Sequence, residues 1–343
     1  MRSIVLVGTR QLELCEKAEP SPGPGEVKVR VSYTGICGSE VHAYLGTHPF
    51  RRPPAVLGHE LSGVVVEIGH GVMGVETGAR VTVEPQIPCG SCAYCKAGDY
   101  NLCSSKVVLG TTSWPGSFGQ YVVVPVSTVV PLPEMISLEV GATVEPLAVG
   151  IHAVRLARPH IGDSAFVLGS GTIGLVTIAA LKAAGISPII ASDIEEFNLT
   201  KALEMGATEV VHARKEDVVA RVHELTGGLG THYSFITVGV PTAIQTALDV
   251  TRRKGTVVVI ALFESAPSFT AFSLVSSERQ LVGSQMYTRE DFQAAVNLLA
   301  TKRVDTRPLI THRFSIEEYS YAFEVAANRV EPCAKVMFQL AEG

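Results

Sequence analysis

Apolar positions along this chain change rhythm near residue 145. Before that point they come in short alternating runs, EVKVRVSYTG, LSGVVVEIG, ARVTVEP and GQYVVVP, each broken by Gly or Pro. Such spacing, rich in β-branched residues, predicts a β-rich unit over roughly the first 130 residues. Beyond it, brief apolar runs alternate with helical stretches: SAFVLG, TIGLVTIAALKAAG, SPIIASD, EEFNLTKALEMGA, TEVVHA, YSFITVG, TAIQTALDVT and GTVVVIAL. Strand and helix in turn predict a parallel sheet covered by helices on both faces. After about residue 284 the alternation stops, and REDFQAAVNLLATKRV predicts an amphipathic helix followed by an extended tail.

A length of 343 residues supports two compact units, each able to bury a core without disulfide staples. The 28 basic and 33 acidic residues are interspersed, giving a net charge of −5 and no basic stripe, so nucleic acid is not an expected partner. MRSIVLVGTR lacks the pattern of a secretory signal, and no apolar run reaches the roughly eighteen residues of a membrane span. A soluble cytoplasmic protein is expected. In a reducing compartment, seven cysteines, an odd number with close spacings, point to metal binding rather than to a disulfide framework. The high apolar fraction, 46% against 18% charged, suggests a large core and a subunit interface.

Gly169-x-Gly171-x-x-Gly174 follows an apolar run and opens a helical one, with Thr172 and Ile173 between its last two glycines. Asp193 closes the next predicted strand 19 residues later. In that setting the glycines allow a tight turn, close approach of backbone to a pyrophosphate, and close helix packing, and the phosphates meet free N–H groups at the helix start. Asp193 is suited to accept hydrogen bonds from ribose hydroxyls and to repel a 2′-phosphate, with Glu195 and Glu196 adding negative charge. NAD is therefore expected over NADP.

Two groups of metal-binding residue types occur in the β-rich part. Cys89, Cys92, Cys95 and Cys103, spaced C-x2-C-x2-C-x7-C, can close a tetrahedron around zinc and leave no open position, as a structural site does. TGICGSEVH and LGHE carry Cys37, Ser39, His42, His59 and Glu60, offering S, N and O donors for a second zinc with an open coordination position.

With these motifs the chain resembles the zinc-dependent medium-chain dehydrogenases of the alcohol dehydrogenase superfamily. The resemblance runs from PGPGEVKVRV through GICGSEVH, GHE, the four-cysteine loop, EPLAVGIHAV and the Gly motif to RPLITHRFSIEE. GHE together with VEPLAVGIHA makes it most similar to the sorbitol, butanediol and threonine dehydrogenases. The resemblance implies an α/β protein: a GroES-like β-rich catalytic domain over 1–148 and 285–343, and a doubly wound Rossmann domain over 149–284, with the active site in the cleft. It also implies two zinc ions per chain, with Cys37, His59 and Glu60 at the catalytic zinc and Glu145 either a ligand or a partner through water. NAD would be the hydride carrier and a secondary alcohol or its ketone the substrate, with Ser39 and His42 relaying the hydroxyl proton. Polyols, diols, cyclitols and hydroxy amino acids are the substrate classes implied, and a homodimer or homotetramer the assembly. Two other readings are a biosynthetic carbonyl reductase of the same family and a zinc-stabilised, NAD-sensing binding protein.

Departures from the family pattern are Glu40 where Asp is usual, Asn198 where many relatives carry Arg against the adenosine, and TGAR in place of GDR before VTVEP. The remaining histidines, His48, His70, His152, His160, His212, His223, His232 and His312, have no ligand partners in sequence and are expected to be structural or exposed. Trp114 fits either a substrate cleft or the core.

Overall fold

The computed structural model describes residues 1–263 and 265–341, and their contacts divide the chain into two units, 1–145 with 310–343, and 146–309. In chain order the first unit contains β1 (Arg2–Gly8), β2 (Gln11–Glu16), β3 (Glu26–Ile36), β4 (Ala55–Val56), β5 (Glu60–Ile68), β6 (Arg80–Val83), β7 (Gln86–Ile87), β8 (Val107–Val108), β9 (Tyr121–Pro125) and β10 (Val129–Pro131). The second contains β11 (Ala165–Leu168), β12 (Ile189–Asp193), β13 (Glu209–His212), β14 (Thr231–Ile236), β15 (Thr251–Val259) and β16 (Gln280–Gly283), and the chain then returns to the first unit with β17 (Ile310–Phe314) and β18 (Lys335–Gln339).

The main sheet of the first unit runs β10-β6-β5-β3-β18-β17, with β9 also paired to β3. Its longest strand, β3, takes β5, β9 and β18 as antiparallel partners along its length, and eight of its eleven residues are buried. Val27, Val29 and Val31 pack with Leu61, Val65, Val81 and Val83 in one core. Trp114 belongs there too, its indole N–H donating to the Val123 carbonyl at 3.1 Å, so the core reading of this residue holds. A second core gathers Phe118, Phe323 and Phe338, which meet edge to face at centroid separations of 5.2 to 6.1 Å.

The segment after the helix Arg289–Ala300 is not simply an extended tail. It supplies β17 and β18, which run parallel to each other. Parallel neighbours need a crossover, and the helical turns over 316–328 provide it.

All six strands of the second unit are parallel, in the order β13-β12-β11-β14-β15-β16. The order reverses between β11 and β14, so a crevice lies outside their carboxyl ends, where such sheets take their ligands. Every residue of β11 is buried, as a strand covered on both faces requires. The helix Arg289–Ala300 starts with a capping box, Thr288 with Asp291, and Asp291 also takes His152 and Arg155 at 2.8 Å each. His152 is thus a structural partner, as expected. No helix among the described residues is long and apolar enough to cross a membrane.

Phe118→Ala would empty the meeting point of three rings. We expect a loss of about 3–5 kcal/mol in unfolding free energy, read by denaturant titration of the whole chain; a change below about 1 kcal/mol would contradict this packing account.

Candidate functional site

Cys37 caps the helix Gly38–Tyr44, immediately after β3. Its backbone N–H donates to the Glu40 carboxylate at 3.0 Å, so the residue three positions into the helix reaches back to fix the cap. The other Glu40 oxygen lies 2.5 Å from Nδ1 of His59 and 3.3 Å from the Arg51 guanidinium. Arg51 is buried and donates to the carbonyls of Leu109 and Gly110, both at 2.9 Å. With Nδ1 engaged, His59 has Nε2 left for a metal, and the ring also contacts Cys37.

Burial opposes a charge on Glu40, yet the neighbouring His59 and Arg51 hold its carboxyl down at about 2. Burial likewise opposes a charge on His59, but Glu40 raises its pKa above the usual histidine value. A carboxylate that keeps its charge so firmly is well suited to strengthen His59 as a donor.

Glu60 opens β5 directly after His59, and Glu145 lies in the first turn of the helix Val144–Ala157. Donor atoms of His59, Glu60 and Glu145 fall within 4.8 Å of one another, and so do those of Cys37, Glu40 and His59. Sulfur, nitrogen and oxygen donors at this spacing fit zinc. Lys335, on β18, reaches the same place: its ammonium is 2.8 and 2.7 Å from the two Glu60 oxygens. Burial disfavours its charge, but Glu60 and Cys37 raise its pKa above the usual lysine value.

Ser39 is two residues past Cys37, and its hydroxyl oxygen is buried with no hydrogen-bond partner among the described residues. His42, one turn further along the same helix and partly exposed, has Nδ1 at 3.1 Å from the Thr47 hydroxyl. Residues at this i, i+3 spacing share a helix face, so a buried hydroxyl and a solvent-reaching imidazole lie in one line.

The four sulfurs of Cys89, Cys92, Cys95 and Cys103 also converge within 4.8 Å. Backbone N–H groups point at them, Cys92 to Cys89 at 3.4 Å, Cys95 to Cys92 at 3.5 Å and Cys89 to Cys103 at 3.5 Å. Hydrogen bonds from Ser91 lower the Cys89 thiol to about 5, whereas desolvation and the Cys92 sulfur push Cys95 up to about 12. A cation among the sulfurs would let all four ionise together.

In the second unit, the turn after β11 places Gly171 at the cap of the helix Thr172–Ala183, with open space beside its Cα. A side chain at Gly174 would lie 2.0 Å from the Gly169 carbonyl oxygen, so the helix can pack this close only on glycine. Thr172 and Ile173 form the first turn, where the backbone N–H groups of a helix start suit a pyrophosphate. Asp193, at the end of β12, accepts from the Ser170 N–H at 2.7 Å on one oxygen, and from the Glu195 N–H and Asn198 side chain at 3.0 and 3.1 Å on the other. Asn198 is buried and orients Asp193. Glu195 and Glu196 face Arg214 and Lys215 at 3.6 and 2.9 Å, so the extra negative charge expected of them is largely offset.

Sequence reasoning passed over Arg51 and Lys335. Neither stands in a motif, and no local pattern marks them.

Family models match at two places: the alcohol dehydrogenase GroES-like domain over residues 23–134 and the zinc-binding dehydrogenase domain over 172–301. The chain is 36% identical to a sorbitol dehydrogenase of Halalkalibacterium halodurans, covering 92% of each chain. It is 35% identical to an L-threonine 3-dehydrogenase of Pyrococcus furiosus, over 96% of this chain and 95% of that one. The solved structure of 2R,3R-butanediol dehydrogenase from Bacillus subtilis superposes with a TM-score of 0.92 at 32% identity, covering 99% of each chain.

Loss of the Glu40 carboxylate should free His59 to turn. For Glu40→Ala we expect zinc affinity at the Cys37–His59 site to fall about 10–100-fold, with the four-cysteine site unaffected, as measured by competition with a chromophoric chelator. Equal loss at both sites, or at neither, would contradict the assigned role.

Proposed function

We infer the chemistry of this chain from a premise now in hand, that it belongs to the zinc-dependent medium-chain dehydrogenases. It is an oxidoreductase that interconverts an alcohol and its carbonyl compound with a nicotinamide cofactor. We propose that the substrate is a secondary alcohol with a neighbouring polar group, as in a polyol, diol, cyclitol or hydroxy amino acid, and that NAD is preferred. The unit containing 1–145 carries the chemistry and the unit 146–309 the cofactor.

One observation carries this reading. His59 belongs to two donor groups at once, one with Cys37 and Glu40 and one with Glu60 and Glu145, and the buried hydroxyl oxygen of Ser39, two residues past Cys37, has no partner among the described residues. Cys37 and His59, with a carboxylate from Glu60 or Glu145, would hold the catalytic zinc, and the four cysteines a structural one. When bound, zinc supplies Lewis acidity toward the substrate oxygen, and NAD supplies the hydride acceptor.

The protein's own groups do the rest. Ser39 meets its unfilled hydrogen bond with the substrate hydroxyl, holds it in place and takes up its proton. His42, on the same helix face and open to water, moves the proton to solvent. Glu40 keeps His59 in one tautomer and orientation throughout. Gly171 and the start of the helix Thr172–Ala183 receive the cofactor's pyrophosphate, and Asp193, fixed by Ser170 and Asn198, receives its ribose.

The free cysteines suit a reducing, cytoplasmic setting. A homodimer or homotetramer fits the second unit, where edge strand β16 lies near Phe272 and Val275 in sequence, 72% and 74% exposed in the single chain.

A panel of polyols, diols and hydroxy amino acids, assayed by NAD reduction, tests the reading. The parent chain should turn over at least one class, and Cys37→Ser should remain folded and inactive. A parent that binds zinc and NAD but oxidises none of them would sink it. For the relay, Ser39→Ala should lower kcat by about 100-fold or more with little change in NAD binding; an unchanged kcat would remove Ser39 from the mechanism.

A further inference from the structure

The segment 45–54 joins the helix that carries Ser39 and His42 to strand β4, and it folds back on the end of that helix. The N–H groups of Thr47 and His48 both donate to the His42 carbonyl, at 2.9 and 3.2 Å. His48 is thereby set inside the first unit, only 7% exposed. Its Nδ1 accepts from the backbone N–H groups of Phe50 and Arg51, at 3.3 and 3.0 Å. An acceptor nitrogen in a neutral imidazole carries no proton, so the ring proton sits on Nε2. The Phe50 ring meets the imidazole edge to face, with centroids 4.5 Å apart, and fixes its plane. Nε2–H has no hydrogen-bond partner among the described residues.

The turn alone does not call for histidine. Two N–H groups two and three positions ahead are served equally well by Asn, Asp or Ser, the usual acceptors for such a turn. Histidine adds a buried donor, and leaving that donor unmet costs free energy that the turn does not recover. The ring also stands near the chemistry. Arg51, whose N–H holds Nδ1, lies 3.3 Å from Glu40, and Glu40 holds the Cys37 N–H and the His59 ring. Burial, and after it the Arg51 guanidinium, hold the His48 pKa down at about 4, so the donor is uncharged at neutral pH.

The chemistry of an uncharged donor selects its partner. A hydroxyl on the carbon next to the reacting one can accept from Nε2–H. An ammonium has no lone pair to offer, and a carboxylate would bring a buried charge to a neutral ring while Arg51 is already paired with Glu40. We propose that His48 is a specificity-determining residue whose Nε2–H donates to the hydroxyl beside the reacting carbon, so that the substrate is a vicinal diol or polyol. The proposal rests on the reading of Ser39 as the group that receives the reacting hydroxyl, and it narrows the substrate classes given above.

Two substitutions separate the two ring nitrogens. Asn puts an amide oxygen where Nδ1 stands and keeps the acceptor for Phe50 and Arg51, but has no donor at Nε2. Gln carries an amide N–H to the Nε2 position and gives up the acceptor. In the zinc-loaded full chain with NAD, each vicinal diol or polyol that the parent oxidises is compared with the mono-alcohol of the same skeleton, 2,3-butanediol with 2-butanol being the smallest pair. We expect the parent to favour the diol in kcat/KM, His48→Asn to lower that preference about tenfold with a Tm near that of the parent, and His48→Gln to keep more of the preference with a lower Tm. Independently of turnover, nitrogen-15 spectra of the histidine-labelled parent with NADH bound should show His48 protonated on Nε2, with a signal that moves more on adding 2,3-butanediol than on adding 2-butanol. A proton on Nδ1, a preference unchanged in His48→Asn, or equal proportional losses for diol and mono-alcohol would overturn the proposal, as would a parent that oxidises hydroxy amino acids and no vicinal diol. A parent that binds zinc and NAD but oxidises no alcohol of any class would instead overturn the substrate reading above, and this inference with it.

Discussion

The Glu40 carboxylate links the parts of the donor cluster that sequence keeps apart. One oxygen holds the backbone of Cys37, and the other holds the ring of His59 and the guanidinium of Arg51, which is itself tied to Leu109 and Gly110. Glu40, Arg51 and His59 are all buried, so the charge cannot be left to water. Removing one partner of such a group costs about 3–5 kcal/mol, mostly because the remaining charge has no alternative. The cluster is therefore fixed by electrostatic need as much as by packing. A donor set held in this way is ready for a metal without reorganisation.

The same logic extends across β3. Two acidic residues, Glu40 and Glu60, each have a buried cation of their own, Arg51 and Lys335. Cys37, His59 and Glu145 add their own donor atoms to this cluster, and the buried Ser39 hydroxyl oxygen, two positions past Cys37, has no hydrogen-bond partner among the described residues. The first unit thus separates charge that maintains the structure from polarity that faces a ligand. In the second unit Asp193 shows a related economy: three protein donors fix its orientation, and the flanking Glu195 and Glu196 are balanced by Arg214 and Lys215.

Much of this was legible in the sequence because it is local. The Gly169–Gly174 turn, the cysteine loop and the helix that follows Cys37 each fold within a few residues, and their spacing reports their geometry. The parallel sheet announced itself through its fully apolar strands. Lys335 could not be read in this way, since it meets Glu60 only through the pairing of β18 and β5 on either side of β3. Arg51 was hidden for the same reason: its partners come from residues 40 and 109–110. Asn198 drew notice as a missing arginine, and only the structure reveals its bond to Asp193. The tail after Ala300 reads as extended, but its role as two parallel strands of a distant sheet depends on partners some 300 residues earlier.

The central claim is a division of labour between two metal sites of different composition, one all sulfur and one with a single sulfur. Zinc-edge X-ray absorption on the fully loaded chain, with metal content measured on the same sample, tests it directly. Two zinc ions per chain with an average of about two and a half sulfur ligands each would bear it out, four from the cysteine loop and one from Cys37. One zinc per chain with four sulfur ligands would contradict it, because the cluster around Cys37 and His59 would then hold no zinc.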